Sequence, residues 1–269
     1  MLFAEQSLED KRKQIADTKA KIEALQASLK DMESSLPEQV QKAKEAELVK
    51  QAEASRIKTH AELGYVNNKG NSNTESLTID AKIKKDWDMH ALSLAVDVEF
   101  ASDSGTTTKN KRFAELEYDY KLTDKLYFEY IIGYKYDDFS GYDYSLYTGP
   151  GLKYILIKEK KHELTMEGNL LYARDKETNK SPYDYASFRA KGFYGWQILD
   201  NLKFEETLTY RTDVSKIDNY FIFSKTALIS KLTDIFSASL SYKVDYVNQQ
   251  GFGKKHSDRT FSANLIADF

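Results

Sequence analysis

A two-residue alternation of apolar and polar side chains dominates the chain from Ile57 to Phe269. The alternation falls into twelve segments of about 10 to 14 residues, which are separated by turn-forming residues. Successive side chains of a strand point to opposite faces, so each segment would be a strand with one apolar and one polar face. The pattern therefore predicts an all-β domain over residues 57–269.

The connections between the predicted strands alternate between short and long. Five are short, around residues 86–88, 123–124, 159–160, 200–201 and 233–234, and six are longer: "NNKGNSN", "ASDSGTTTKN", "DDFSGYD", "DKETNKSP", "TDVSKID" and "NQQGFGKKHS". Such alternation is typical of transmembrane β-barrels, which have tight turns on one rim and longer loops on the other. Closure also removes the free edges of a long meander. We therefore predict an up-and-down barrel of about twelve antiparallel strands in a bacterial outer membrane.

The composition fits this architecture and excludes several classes of function. The 19 Tyr and 14 Phe, against 3 Pro, favour strands and membrane interfaces. The absence of Cys excludes disulfides, thiolate metal sites and cysteine catalysis. A net charge of -3 offers no basic excess for a phosphate backbone, so we expect no nucleic-acid partner.

Residues 5–36 follow a different period, with apolar side chains on a seven-residue repeat. The predicted seam consists of Leu8, Ile15, Ile22, Leu25, Leu29, Met32 and Leu36. This heptad predicts a coiled coil that self-associates or binds a partner; a single amphipathic helix packed on its own protein is the alternative. Pro37 would begin a helical linker over residues 37–56. Residues 1–4 resemble the tail of a signal peptide.

An even number of strands places both ends of the barrel on the short-turn rim, which is periplasmic in this class of protein. The coiled coil would then project into the periplasm. The last segment, "FSANLIADF", places Phe261, Leu265 and Phe269 on its apolar face. A terminal aromatic residue there resembles the C-terminal recognition signal of bacterial outer-membrane proteins. That resemblance implies the barrel-assembly machinery as a partner, besides outer-membrane lipid.

The stretch "AELGYVNNKGNSNTESL", residues 61–77, runs from a strand through a Gly-Asn loop into a second strand. It resembles the opening of the uncharacterised YdiY-type family of salt-induced outer-membrane proteins. The resemblance implies an outer-membrane barrel over roughly residues 57–269 and does not extend to the coiled coil. It implies no activity and no catalytic residues.

If the apolar face contacts lipid, the opposite face collects charges of both signs. Strands three and four carry an acidic wall and strands eight and nine a basic wall, roughly opposite each other: Asp97, Glu99, Glu115, Glu117 and Asp119 against Arg189, Lys191, Lys203 and Arg211. In an open lumen these walls would produce a transverse field that orients polar solutes. If the side chains meet, they would instead close a small lumen as a salt-bridge network. Glu206 breaks the alternation and would mark a bulge or a rim position.

We expect no catalytic, cofactor or metal site. The four histidines are too scattered for a Ser/His pair, and the sequence holds no P-loop or dinucleotide fingerprint. Neighbouring carboxylates such as Glu115 and Glu117 fit a solvated wall better than an acid/base pair. The predicted function is a narrow channel for small polar solutes or ions. The alternative is a membrane anchor whose coiled coil oligomerises the barrel or binds a periplasmic envelope partner.

Overall fold

The computed structural model describes residues 57–68, 73–138, 141–249 and 255–269, together with eight helical residues between 19 and 44. The chain divides into two compact units, residues 1–55 and 56–269. Of the predicted coiled-coil seam, Leu25 is described; it is helical and 69% exposed. The other seam residues and residues 1–4 lie outside the described residues, so the coiled coil stays a prediction. None of the described helical residues belongs to a helix that is long and apolar enough to cross a bilayer.

The described part of the second unit is a closed barrel of twelve antiparallel strands. Each strand pairs with its neighbours in the sequence, and the last strand pairs with the first, as predicted from the alternation. The strands are β1 Ile57–Asn68, β2 Thr74–Trp87, β3 His90–Asp103, β4 Thr106–Lys121, β5 Leu126–Asp137, β6 Tyr142–Lys158, β7 His162–Glu177, β8 Tyr183–Leu199, β9 Leu202–Asp213, β10 Tyr220–Lys231, β11 Phe236–Val247 and β12 Ser257–Asp268.

The pairing register places the apolar residues on the outside of the barrel. One outward row runs through Ala61, Ala81, Val96, Ala114 and Tyr134. The inward row beside it begins with Glu62, Asp80 and Asp97 on β1 to β3 and contains a buried carboxylate in Glu62. The sequence did not decide which face of the tenth strand is inward. In the structure, Ile222 on β10 lies on the outward face and Lys225 on the inward face. The alternation of the sequence is thus the alternation between the two faces of the barrel wall.

Two of the short turns share the sequence Lys-Leu-Thr-Asp, at residues 121–124 and 231–234. In each, the threonine hydroxyl accepts a hydrogen bond from the backbone N–H three residues later, at 3.0 Å and 2.9 Å respectively. The lysine Nζ lies 2.8 Å from the aspartate Oδ1 in both turns and holds the pKa of Asp124 and of Asp234 below its ordinary value. The same local chemistry therefore ends two strand pairs in the same way. We call this end of the barrel the short-turn end and the opposite one the long-loop end.

The connection between β3 and β4 differs from the prediction. The stretch "ASDSGTTTKN" reads as a long loop, but both strands continue into it and leave Ser104 and Gly105 as a two-residue turn. Both residues have positive φ, 51° and 80°, which suits a tight hairpin whose twist matches that of the flanking strands. The predicted loop was wrong because Ser, Thr and Lys on an exposed hairpin tip are compatible with either structure.

The seam that closes the barrel is the shortest pairing. The register between β1 and β12 runs from His60 and Asp268 to Leu63 and Leu265. Thr59 extends it by two backbone hydrogen bonds with Phe269, at 2.7 and 3.0 Å. Phe261, Leu265 and Phe269 are all exposed, and the first two lie on the outward face of β12. Their role in assembly stays a prediction.

Candidate functional site in the barrel lumen

The polar face of the wall forms the interior of the barrel. All five residues of the predicted acidic wall lie on inward positions of β3 and β4, and the four of the predicted basic wall lie on inward positions of β8 and β9. Glu99, Glu115, Glu117, Asp119, Arg189 and Arg211 are buried inside the barrel. The placement of charge on each strand therefore follows the parity read from the sequence.

Part of the two walls meets across the lumen. Arg189 Nη2 on β8 lies 3.2 Å from Glu115 Oε1 on β4, and Lys191 Nζ lies 4.0 Å from Glu117 Oε2. Both cations also pair with Glu167 on β7, at 3.5 and 3.1 Å. Opposite charges at these separations largely cancel each other's field at longer range. Here the walls form a salt-bridge network, which is one of the two arrangements that the sequence left open.

Lys153 on β6 is the centre of this network. Its Nζ pairs with Glu117 and lies 2.7 Å from Asp119 Oδ2 and 3.3 Å from Glu129 Oε1. Carboxylate oxygens of these three acids lie within 4.8 Å of one another, a spacing that would also suit a metal ion. The lysine ammonium lies among them and supplies the positive charge. The sequence placed Lys153 on the lumen face but gave no sign of its central position.

A second network joins strands from the beginning of the barrel sequence, β1 and β3, to strands near its end, β10 and β11. Lys243 on β11 pairs with Asp97 and, at 3.3 Å, with Glu99 on β3. Lys225 on β10 lies 3.0 Å from Glu62 on β1. These pairs connect strands that are not neighbours in the sheet, so they cross the lumen. The cations of β10 and β11 that neutralise this side of the lumen were not part of the predicted basic wall.

Nearer the long-loop end, two lysines converge on one aspartate from across the barrel. Lys111 on β4 and Lys135 on β5 lie 3.2 and 2.9 Å from the carboxylate of Asp245 on β11. Lys111 is buried. This contact spans the lumen between opposite parts of the wall and narrows it.

Arg211 on β9 occupies a separate cluster in the same half of the barrel. Its guanidinium carbon lies 5.0 Å from the ring centre of Tyr147 and 4.6 Å from that of Phe221. Its Nη2 donates to Ser145 Oγ at 2.8 Å and lies 3.5 Å from Asp175 Oδ2. Arg211 is therefore not paired with the predicted acidic wall, although the sequence grouped it with residues that are.

An apolar and aromatic core fills the barrel beside Arg211. Its buried members are Ile131, Tyr147, Leu171, Ala173 and Tyr185. Tyr147 lies against Gly133 of the neighbouring strand, and a Cβ at that glycine would lie 2.1 Å from the Tyr147 ring. The missing side chain lets the ring lie flat on the wall, where its hydroxyl donates to Glu115 Oε2 at 2.6 Å. The sequence feature that could have indicated this core is an inward Tyr147 paired with a glycine, Gly133, on the neighbouring strand.

Part of the inner face of β2 and β9 near the short-turn end is accessible to solvent. Lys82 on β2 faces inward and is exposed, and the side chains of Lys203 and Glu205 on β9 are 37% and 29% exposed. Lys203 pairs with Glu205 on its own strand at 2.6 Å rather than with the acidic wall. Thr207 and Thr209 continue this half-exposed surface along β9. Solvent therefore reaches this part of the inner face.

Glu206 lies neither at a bulge nor at a rim. Pairing is regular through Tyr194, Glu206 and Thr226, which places the carboxylate on the outward face within the strand. It accepts hydrogen bonds from Ser224 Oγ at 2.8 Å and Thr226 Oγ1 at 2.5 Å. Two hydroxyls on the neighbouring strand thus satisfy a charge that the alternation alone did not explain.

Comparisons with known proteins complete this description. An uncharacterised protein of Escherichia coli K12, YdiY, is 24% identical over 208 residues, which cover 75% of this chain and 79% of that protein. The NanC porin structure has a TM-score of 0.47 at 14% identity, covering 79% of this chain and 98% of that one. An outer membrane channel from Pseudomonas putida F1 has the same TM-score at 9% identity, covering 79% and 94%. The resemblance to the YdiY-type family is confirmed: residues 61–269 match the family described as "Protein of unknown function, DUF481", and the chain belongs to that family.

Proposed function

We propose that this protein is an outer-membrane β-barrel that acts as a narrow channel for ions and small polar solutes, with its N-terminal helix in the periplasm. The proposal assigns no enzymatic reaction to it. A charged side chain facing lipid at the midplane costs about 2–4 kcal/mol for Arg or Lys. The inward placement of the charged walls and the apolar outer surface, with Leu170 and Leu265 exposed, support a barrel whose outside contacts lipid.

Aromatic side chains at the short-turn end support the same location. Trp87 stacks on His90 with ring centres 5.8 Å apart, and Trp196 stacks on His162 at 6.1 Å. Both pairs lie on the outer surface, near the ends of β2 and β8 and at the first residues of β3 and β7. Aromatic rings with a polar edge are typical of the level of the lipid headgroups. The two tryptophans of the chain thus fit one membrane interface.

The observation that carries the channel proposal is the exposed inner surface of β2 and β9. Lys82, Lys203 and Glu205 face the interior yet contact solvent, so water enters the lumen. The ion pairs that cross the lumen make any conducting path narrow. Twelve strands lie between filled eight-strand barrels and the open lumens of sixteen-strand porins, which fits this reading.

Planar-bilayer recording of the folded full chain tests the channel. We expect small conductance steps, and a shift of the reversal potential in a KCl gradient toward cation preference in Lys203→Glu, because the substitution reverses a charge exposed in the lumen. Lys85→Glu is the matched control, since Lys85 is exposed on the outer face of β2 and should leave ion preference unchanged. A barrel that folds, as judged by heat-modifiable migration, but gives no channel events would overturn the proposal.

A membrane anchor is the second candidate, and the packed interior near the long-loop end favours it. In that case the predicted coiled coil would oligomerise the barrel or bind a periplasmic envelope partner. Deleting residues 5–56 separates the two functions. A channel should keep its conductance without these residues, whereas an anchor should lose its complex in pull-down from solubilised envelopes.

A further inference from the structure

Two buried polar atoms in the cluster around Arg211 lack a hydrogen-bond partner within the described part of the chain. They are Nη1 of Arg211 and Oδ1 of Asn219, whose residues are 7% and 6% exposed. Buried polar groups in native proteins are nearly always paired, so each exception calls for an explanation. A ring face attracts the charge of a guanidinium but does not replace an oxygen acceptor for an N–H. One free donor and one free acceptor thus belong to the same cluster.

Contacts connect these two residues through the tyrosines beside them. Asn219 Nδ2 donates to the hydroxyl of Tyr183 at 3.1 Å, and Tyr183 stacks on Tyr185 with ring centres 5.4 Å apart. Tyr185 donates to Asp175 at 2.6 Å, and Asp175 also lies beside Arg211. The donor and the acceptor therefore lie in one continuous cluster rather than at two unrelated places.

Aromatic rings surround the cluster. Phe221 on the neighbouring β10 and Tyr147 on the more distant β6 both contact Arg211, and Tyr142 contacts Phe221 edge to face at 5.5 Å. Aromatic walls with a few convergent polar groups are the usual composition of a small-molecule site. They suit a ring that has C–H groups on its faces and hydroxyls at its edge, because the faces pack on the aromatic rings while the edge hydroxyls form hydrogen bonds.

The charges of the cluster favour a neutral ligand. Asp175 lies 3.5 Å from Arg211 and is fully buried, and Asp213, two residues along β9, is buried as well. Arg189, opposite Arg211 on β8, is paired with Glu115 and Glu167 and so adds no uncompensated positive charge. The two aspartates against the Arg211 guanidinium leave an excess of negative charge, which repels an anion. The free N–H of Arg211 is therefore better suited to donate a hydrogen bond to a hydroxyl oxygen than to a carboxylate.

We propose that the Arg211 cluster is a binding site for a neutral hydroxylated ring of monosaccharide size. Arg211 Nη1 donates to one ring hydroxyl, another hydroxyl donates to Asn219 Oδ1, and the Tyr142–Phe221 contact parts to admit the ring. The inward residues next to Arg211 and Phe221 in the short-turn direction are Thr209 and Phe223, both half-buried, which continue the accessible surface up to the cluster. This site deepens the proposed channel function, on which it rests for access through the lumen.

Saturation-transfer difference NMR on the folded full chain in detergent micelles tests the site without requiring conductance. D-glucose is the probe, and D-glucuronate, which adds a carboxylate to the same ring, is the comparison. We expect saturation of the glucose ring protons, a weaker effect for glucuronate, and at least a fivefold loss for glucose in Arg211→Gln and Phe221→Leu. Arg174→Gln is the matched control, since Arg174 lies on the outer face of β7 with 47% of its side chain exposed. Its signal should equal that of the wild type.

Each outcome has a defined meaning once heat-modifiable migration shows that the variants fold. If glucose receives no saturation from the wild type, or if both cluster variants keep the wild-type signal, the site is refuted. Stronger binding of glucuronate would refute the neutral class of ligand. Phe221→Leu keeps the test decisive if Arg211→Gln fails to fold. Glucose binding without channel events would overturn the proposed channel and leave the binding site supported. Channel events without glucose binding would overturn the binding site and leave the channel supported.

Discussion

The two halves of the barrel interior obey the same alternation but are filled differently. Toward the long-loop end, Tyr147, Tyr185 and Asp175 are buried in a packed cluster. Toward the short-turn end, Lys203 and Glu205 face the lumen and remain partly exposed. The difference follows from the neighbours of each group, because Tyr147 packs on Arg211 and hydrogen-bonds Glu115, whereas Lys203 pairs with Glu205 on its own strand. The inner face of β9 is thus packed near the long-loop end and accessible near the short-turn end.

The largest expected effect on the free energy of unfolding comes from removing one carboxylate charge in each half of the barrel interior. Asp175→Asn removes the carboxylate that pairs with the buried Arg211, and breaking a buried ion pair in this way costs about 3–5 kcal/mol. Glu205→Gln removes one partner of the half-exposed pair with Lys203 and should cost about 0–1 kcal/mol. Urea unfolding of both variants in the same detergent measures the contrast. Equal losses would mean that the two halves are equally packed.

A smaller effect should follow from adding one methyl group to each half. Gly133→Ala forces a Cβ to 2.1 Å from the Tyr147 ring, so the ring must move, and overpacking of this kind costs about 1–3 kcal/mol. Gly195→Ala is the matched variant, because its Cβ meets Phe193 and Lys203 at ordinary contact distances of 3.5 and 3.6 Å. We expect its unfolding midpoint to match that of the wild type. A stable Gly133→Ala would show that Tyr147 is not held as described.

The smallest effect concerns solvent access. The chain contains no Cys, so a single introduced cysteine reports on one position. Thr207→Cys should react with a hydrophilic thiol reagent about tenfold faster than Ser145→Cys, because Ser145 is buried beside Arg211 and needs local opening to react. The modification rates of the two folded variants, followed by mass spectrometry, give the ratio. Similar rates would remove the asymmetry between the halves.

Much of the barrel could be predicted from the sequence, because a two-residue period directly specifies which side chains point inward and which point outward. The twelve strands, the closure and the inward position of Arg189 and Glu115 all follow from it. The partner of each charge could not be predicted, because a contact across the lumen depends on strand tilt and on depth along the barrel. Lys203 and Arg211 illustrate this limit: both face inward as predicted, yet one pairs on its own strand and the other lies among aromatic rings. The β3–β4 turn was missed because polar residues at a hairpin tip fit strand and loop equally well.

The short seam between β1 and β12 also has a consequence for the order of folding. His60 and Asp268, whose side chains meet at 2.7 Å across the seam, are 208 positions apart in the chain. Every other strand pair joins neighbours in the sequence, and local pairs form faster than distant ones because they close shorter loops. Closure of the barrel by pairing of β1 with β12 is therefore expected to be the last and slowest step of folding. Until it occurs, β1 and β12 present unpaired backbone edges, and these are the two strands on which an edge-binding assembly factor would act.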